Sequence, residues 1–279
     1  MKRANRTQTP MDGEEKREAR RREMPSAAVV FEAIRNTAEA ELQRPLLGLA
    51  WSALAAGLSM GFSFVAQSLL YHHTLDSNWR TIVSSFGYAV GFLFVILGRQ
   101  QLFTENTLTP VLEVLRVRSM RVVYAITKLW LVVLCMNILG TAVFAAAIAG
   151  FRIFEPEVQI AMASIAHHEY AKPFSVMFVQ AIFAGWLVAL MLWLMPFAET
   201  ARVGVIIVVS FVIGLAHFPH VVAGSVAAFY AVFTGEETIL AYLGRFFAPT
   251  ILGNMVGGIM LVAAVNYAQV AYSDPENHK

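Results

Sequence analysis

The chain has 279 residues, of which 57% are hydrophobic and only 14% charged. Soluble domains run at about 45–50% apolar and about 25% charged, so this balance, with a mean hydropathy of +0.59, excludes an all-soluble protein. The single cysteine, Cys135, excludes an intramolecular disulfide and a cysteine-based metal cluster. At about 20 apolar residues per spanning helix, one membrane domain of about five to seven spans fits this length.

The net charge of +2 conceals an uneven distribution. Residues 1–26 carry eight Lys/Arg against five acids and no apolar run follows directly, so the segment is not a cleavable signal. It is expected to be a disordered, solvated cytoplasmic tail that fixes topology rather than a lipid- or nucleic-acid-binding patch, and no nucleic-acid partner is expected. Residues 27–44 place Val29, Val30, Phe31, Ile34 and Ala38 among charges, which predicts an amphipathic helix at the membrane surface. The channel domain is predicted over 45–272, followed by a short cytoplasmic tail at 273–279.

Six spans are predicted in this domain: Pro45 to Tyr71, Ile82 to Leu97, Val122 to Phe151, Phe174 to Phe197, Val203 to Phe218 and Phe246 to Tyr272. The polar residues 152–172 between the third and fourth are expected to cap one face. The second span runs into Arg99-Gln-Gln-Leu-Phe-Thr-Glu-Asn-Thr107 and resumes as Leu108 to Leu115. The fifth runs into His217-Phe-Pro-His220 and resumes as Val221 to Phe233. Pieces this short cover roughly 12–20 Å, about half a bilayer.

A polar break in lipid persists only where protein or a cavity surrounds it. The breaks occupy matching places in a three-plus-three division, and Asn137-Ile-Leu-Gly140 echoes Asn254-Met-Val-Gly257. Three spans per half require the second half to be inverted, and an inverted repeat with paired broken helices points to a pathway at the membrane midplane. Arg116, Arg118, Arg121 and the basic tail lie on one side, against Arg80, Arg152, Lys172 and Arg245 on the other. Both termini are therefore expected to be cytoplasmic.

Three motifs in order resemble the formate/nitrite transporter family. Gln101-Leu-Phe-Thr104 follows a glycine-rich second span, His220-Val-Val-Ala-Gly-Ser follows the fifth, and Asn254-Met-Val-Gly-Gly258 lies in the last. The likeness covers residues 28–272. The long charged N-terminus, Phe-Thr-Glu-Asn and the His220 loop are most similar to the YfdC-like branch. The resemblance implies an all-α integral membrane protein with an aquaporin-like six-helix protomer, a homopentamer in the inner membrane, and a path in each protomer for small monovalent anions such as formate or nitrite. No cofactor or metal is implied.

The resemblance also nominates residues along the path. An anion in an apolar barrier is costly, and a histidine can lend a proton near neutral pH. His220 is the candidate for that proton step. Thr104, read as the matching start of the other half-helix, is its partner, and a half-helix N-terminus favours an anion nearby. His217 is read as structural. Tyr88, Phe92, Leu102, Phe103 and Ile213 take the family's constriction positions. Lys172 falls one place before the family's vestibule lysine, counted from Gly185, while Ala189 replaces a family asparagine. Glu105, a carboxylate near the midplane, needs a partner: it is expected to be neutralised by Arg99, the nearest candidate, or by hydrogen bonds at the half-helix start. Asn137 and Asn254 are the repeat asparagines.

Two other readings remain on the sequence alone. A neutral-solute channel of aquaporin type would show Asn-Pro-Ala-like loops, which neither break contains. A non-transporting sensor or scaffold would recruit partners through the basic tail. An enzyme is not expected: His167-His168-Glu169 lacks the His-Glu-x-x-His spacing that sets two metal ligands on one helix face.

Overall fold

The computed structural model describes residue 13 and residues 26–74, 78–107 and 119–259, and the regular elements among them are all helical. Most of the charged tail, Leu108 to Leu115, Arg116, Arg118, the end of the last span and the tail at 273–279 lie outside the described residues.

Helix α1 (Ala27–Leu42) turns its Ile34 and Ala38 inward, as its apolar spacing predicts, and leaves Glu39 exposed. Pro45 opens α2 (Leu46–His73), where its missing N–H is no loss. Then come α3 (Arg80–Leu97), α4 (Met120–Phe151) and α5 (Pro156–His168). They are followed by α6 (Phe174–Leu194), α7 (Arg202–Leu215), α8 (Ala223–Phe233) and α9 (Ile239–Ile259). Among the described residues, five stretches are long and apolar enough to cross a membrane: α2, α3, α4, α6 with its one-turn extension to Phe197, and α9. At 14 and 11 residues, α7 and α8 are shorter.

Two boundaries differ from the sequence reading. The last helix begins at Ile239 rather than Phe246, because the Thr238 side chain accepts from Ala241 N at 3.1 Å and caps it. Arg245 is accommodated inside this helix by Glu237 at 3.2 Å and the Tyr170 carbonyl at 2.6 Å. Residues 152–172 are not a plain cap either. Pro156 and Glu157 in the first turn start a helix there, which ends on His167 and His168.

The packing falls into two matched pairs, α2 against α4 and α6 against α9. Gly57 lets α4 approach so closely that a Cβ would stand 2.2 Å from the Asn137 carbonyl oxygen. Gly185 does the same for α9, at 2.2 Å from the Asn254 carbonyl oxygen. Backbones this close leave no room for a side chain. Between the pairs lies α8, buried from Ala223 to Ala231 against α2, α4 and α5. Hydrophobic on all sides, it can only be a core helix.

Candidate functional site

Both breaks begin with the same helix ending. Arg99 and His217 adopt left-handed φ values of 51° and 48°. Gln100 N then bonds Val95 O at 2.9 Å, and Phe218 N bonds Ile213 O at 3.0 Å. This is the Schellman pattern, in which a left-handed residue lets the chain fold back onto the last carbonyls. It occurs here without glycine.

One buried asparagine holds each break. Asn137 Oδ1 accepts from Phe103 N at 2.8 Å, while its Nδ2 donates to Gln101 O at 2.9 Å and Ala53 O at 2.7 Å. Asn254 Oδ1 accepts from Val221 N at 2.8 Å, and its Nδ2 donates to Pro219 O at 3.0 Å and Ala181 O at 2.8 Å. Freed backbone groups in an apolar interior must find such partners. The first break has further braces. Gln101 N donates to Ser52 Oγ at 3.1 Å, and Trp130 Nε1 to Asn106 O at 2.7 Å. At the second, Pro219 has no N–H to give.

By this register Gln101 answers to Pro219 and Phe103 to Val221, so His220 answers to Leu102 and Thr104 to Val222. The pair that meets is therefore asymmetric, and Thr104 does not hold the position equivalent to His220. Thr104 Oγ1 lies 2.7 Å from His220 Nε2, both side chains wholly enclosed. His220 Nδ1 accepts from Ala223 N at 3.1 Å, and His220 O accepts from Gly224 N at 2.8 Å. An amide N–H can only donate, so the geometry assigns the proton to Nε2, which donates to Thr104. The hydroxyl's own hydrogen is left for another acceptor. His220 Nδ1 thus also holds the first amide of α8.

Of the expected constriction residues, Phe92 touches this contact directly. The Phe92 ring meets His220 edge-on at 5.2 Å and Tyr88 at 5.6 Å. Leu102 and Ile213 are fully buried. Phe103 turns its ring toward Trp130, 6.3 Å away, rather than toward the histidine. Ser63 is a residue the sequence reading missed. Its hydroxyl donates to Tyr88 O at 2.7 Å and accepts from Gly91 N at 2.9 Å, interrupting the α3 ladder where Tyr88 sits. A side chain inserted into the ladder is a recognised cause of helix irregularity.

One cavity borders each break. A smaller one, about 140 Å³, is lined by Tyr88, Ile213, His217, His168, Glu169 and Lys172 among others. Lys172 Nζ donates to the His217 carbonyl at 2.8 Å, and the His168 and His217 rings stack at 5.7 Å. Burial pushes the Glu169 carboxyl up to about 7, with Lys172 opposing the rise. Burial also pushes Lys172 down, and Glu169 opposes that. The larger cavity, about 390 Å³, lies against α1 and is lined by Glu41, Arg99, Gln100, Glu105 and Arg202.

The expected Arg99–Glu105 pair does not form. Arg99 is exposed, and Glu105 Oε1 is buried with no hydrogen-bond partner among the described residues. Glu105 borders the larger cavity rather than the Thr104–His220 contact.

Comparison with known proteins follows the same lines. A family model described as formate/nitrite transporter matches residues 28–268. The chain is 40% identical over 248 residues to the inner membrane protein YfdC of Escherichia coli (strain K12), covering 88% of this chain and 80% of YfdC. It is 28% identical over 223 residues to the formate channel BtFdhC of Bacillus thuringiensis, covering 76% of this chain and 82% of that protein. A solved pentameric formate channel with formate bound matches with a TM-score of 0.70 at 19% identity, covering 82% of this chain and 98% of its own. A solved FNT family ion channel gives 0.70 at 20% identity, covering 89% and 97%. At such identity the two structures speak for the fold.

Proposed function

The chain belongs to the formate/nitrite transporter family, and from that premise we propose how its residues conduct. It is a multi-pass inner-membrane channel for small monovalent anions of the formate/nitrite type. The observation that carries the mechanistic reading is the enclosed Thr104–His220 contact between two broken helices, with one cavity bordering each break.

In our reading the chain crosses six times, as two inverted halves. The first half is α2, α3 and α4; the second is α6, the α7–α8 pair and α9. The duplicated asparagine bonds and glycine approaches support this. Both termini face the cytoplasm, so the larger cavity beside α1 is the inner vestibule and the Lys172 cavity the outer one. Most of residues 1–26 form a charged cytoplasmic tail, and α1 lies along the membrane surface. The protein assembles as a homopentamer, and exposed Trp51, Leu131 and Phe183 supply apolar surface for lipid and neighbouring protomers.

An anion reaching the barrier formed by Phe92, Leu102 and Ile213 meets the Thr104 hydroxyl, which donates while His220 Nε2–H supports it from behind. The first turn of α8 adds the positive end of a helix. A proton-linked step requires His220 to gain a second proton at Nδ1, the atom that holds Ala223 N–H. Protonation is therefore coupled to release of the first α8 amide.

Stopped-flow uptake into liposomes with purified protein tests this reading against formate, nitrite, glycerol and water. Saturable anion uptake supports it. Solute flux without anion dependence would indicate a neutral-solute pore, and no flux would indicate a sensor or scaffold. His220→Asn is the sharper variant, since asparagine caps a helix but does not titrate. It is expected to assemble and to lose the pH dependence of the maximal rate of formate uptake. An unchanged pH profile would leave His220 as a structural tie alone.

A further inference from the structure

The outer vestibule contains an acid that the transport reading does not use. Glu169 ends α5 and lines the smaller cavity, whose wall includes Pro219, the residue before His220. Its Oε2 reaches the first turn of α8, where a Cβ on Gly224 would stand 3.1 Å from it. Gly224 N bonds the His220 carbonyl, so the carboxyl sits beside the same helix start that His220 holds. Negative charge at a helix N-terminus is favourable, yet the enclosed setting penalises an ionised carboxyl.

The groups facing Glu169 come from every neighbouring element. His168 and Tyr170 flank it in sequence, Lys172 follows before α6, Tyr71 comes from α2, Tyr88 from α3 and His217 from the second break. Behind Tyr170 lie Arg245, which donates to its carbonyl, and Glu237, which pairs with Arg245. Lys172 is the cation of the cavity lining, and its hydrogen bond goes to the His217 carbonyl.

We propose that Glu169 and Lys172 form a capture site for a small weak-acid anion such as a monocarboxylate, with the protonated Glu169 carboxyl donating a hydrogen bond and Lys172 supplying the charge. The proposal rests on the transport reading and deepens it. With Glu169 protonated, the pair carries one positive charge and offers donors on both sides. With Glu169 ionised, the charges cancel and a carboxylate faces the entering anion. The capture-competent form prevails below the point near 7 to which burial raises this carboxyl. Capture therefore strengthens as pH falls through 7 and weakens as it rises.

Initial rates of formate uptake by the full chain in liposomes, against formate concentration at pH 6, 7 and 8, separate half-saturation from maximal rate. A single protonation near 7 raises the half-saturation concentration about tenfold from pH 6 to pH 8 through this site. Glu169→Gln, a permanent donor without charge, is expected to flatten that rise, whatever its maximal rate. Glu169→Asp is expected to keep the rise with a displaced midpoint, and it carries the test if the glutamine variant fails to assemble. A half-saturation profile in Glu169→Gln that still climbs with pH like the wild type, or an undisplaced midpoint in Glu169→Asp, overturns the capture site. Absence of protein-dependent uptake in the wild type would overturn the transport reading instead, so the two failures are distinguishable.

Discussion

The two breaks share a frame and differ in their contents. Each starts from a left-handed non-glycine residue, and each is tied by an asparagine to the backbone of its own break and of a neighbouring helix. On that common frame the first break places a hydroxyl and the second an imidazole, two positions out of register. The first is braced by Ser52, Asn106 and Trp130. The second offers Pro219, which donates nothing. The two scaffolds are alike, while the side chains they present are not.

The largest effects test the shared frame. Asn254→Ala and Asn137→Ala each remove three enclosed hydrogen bonds and orphan the backbone groups they served. Each is expected to cost about 3–5 kcal/mol, since a buried group left unpaired costs about 1–3 kcal/mol. Thermal unfolding in detergent measures it. Asn254→Ala should cost more, because the second break has fewer braces. An equal or reversed ranking would mean that the braces around the first break contribute nothing.

The intermediate effect tests the asymmetric contents. Thr104→Val keeps the shape and removes the acceptor of His220 Nε2–H. It is expected to lower stability by about 1–3 kcal/mol and to reduce formate uptake across the whole pH range, whereas His220→Asn removes the pH dependence of the maximal rate. If both variants change uptake identically, hydroxyl and imidazole act as one unit and the division between them is wrong.

The smallest effect sharpens the frame itself. Arg99→Gly and His217→Gly each relieve a left-handed conformation that costs an L-residue about 1–2 kcal/mol, and each should raise the unfolding temperature. The gain at His217 should be the lower of the two, because its ring also stacks on His168. Destabilisation at either position would show that the side chain matters more than the backbone strain.

Much of this was legible in the sequence. Apolar runs marked the long helices, and polar residues inside them located both breaks, because such residues in lipid need an enclosing protein. The repeated Asn-x-x-Gly pointed to Asn137 and Asn254, though not to their work, since a side chain bonding distant backbone leaves no local signature. Arg99 shows the opposite difficulty. Its charge and proximity in sequence suggested a partner for Glu105, but the structure leaves Arg99 exposed and Glu105 Oε1 buried without it. The early start of α9 was signalled by Thr238, and Arg245 masked it by looking too polar for a span. Glu169 was noticed only as part of a failed metal motif. Its significance comes from Gly224, distant in sequence, and from the cavity between them.

The asparagine ties grip main chain alone: the amide of Phe103 or Val221 and the carbonyl of Gln101 or Pro219. Nothing in that grip depends on which side chains the gripped segments carry. The two segments therefore behave as sockets, into which other residues can be plugged at Leu102, Phe103, Val221 and Val222 without redesign of the supporting helices. A combinatorial library confined to these four positions, with both asparagines kept, is the economical place to re-tune which solute passes.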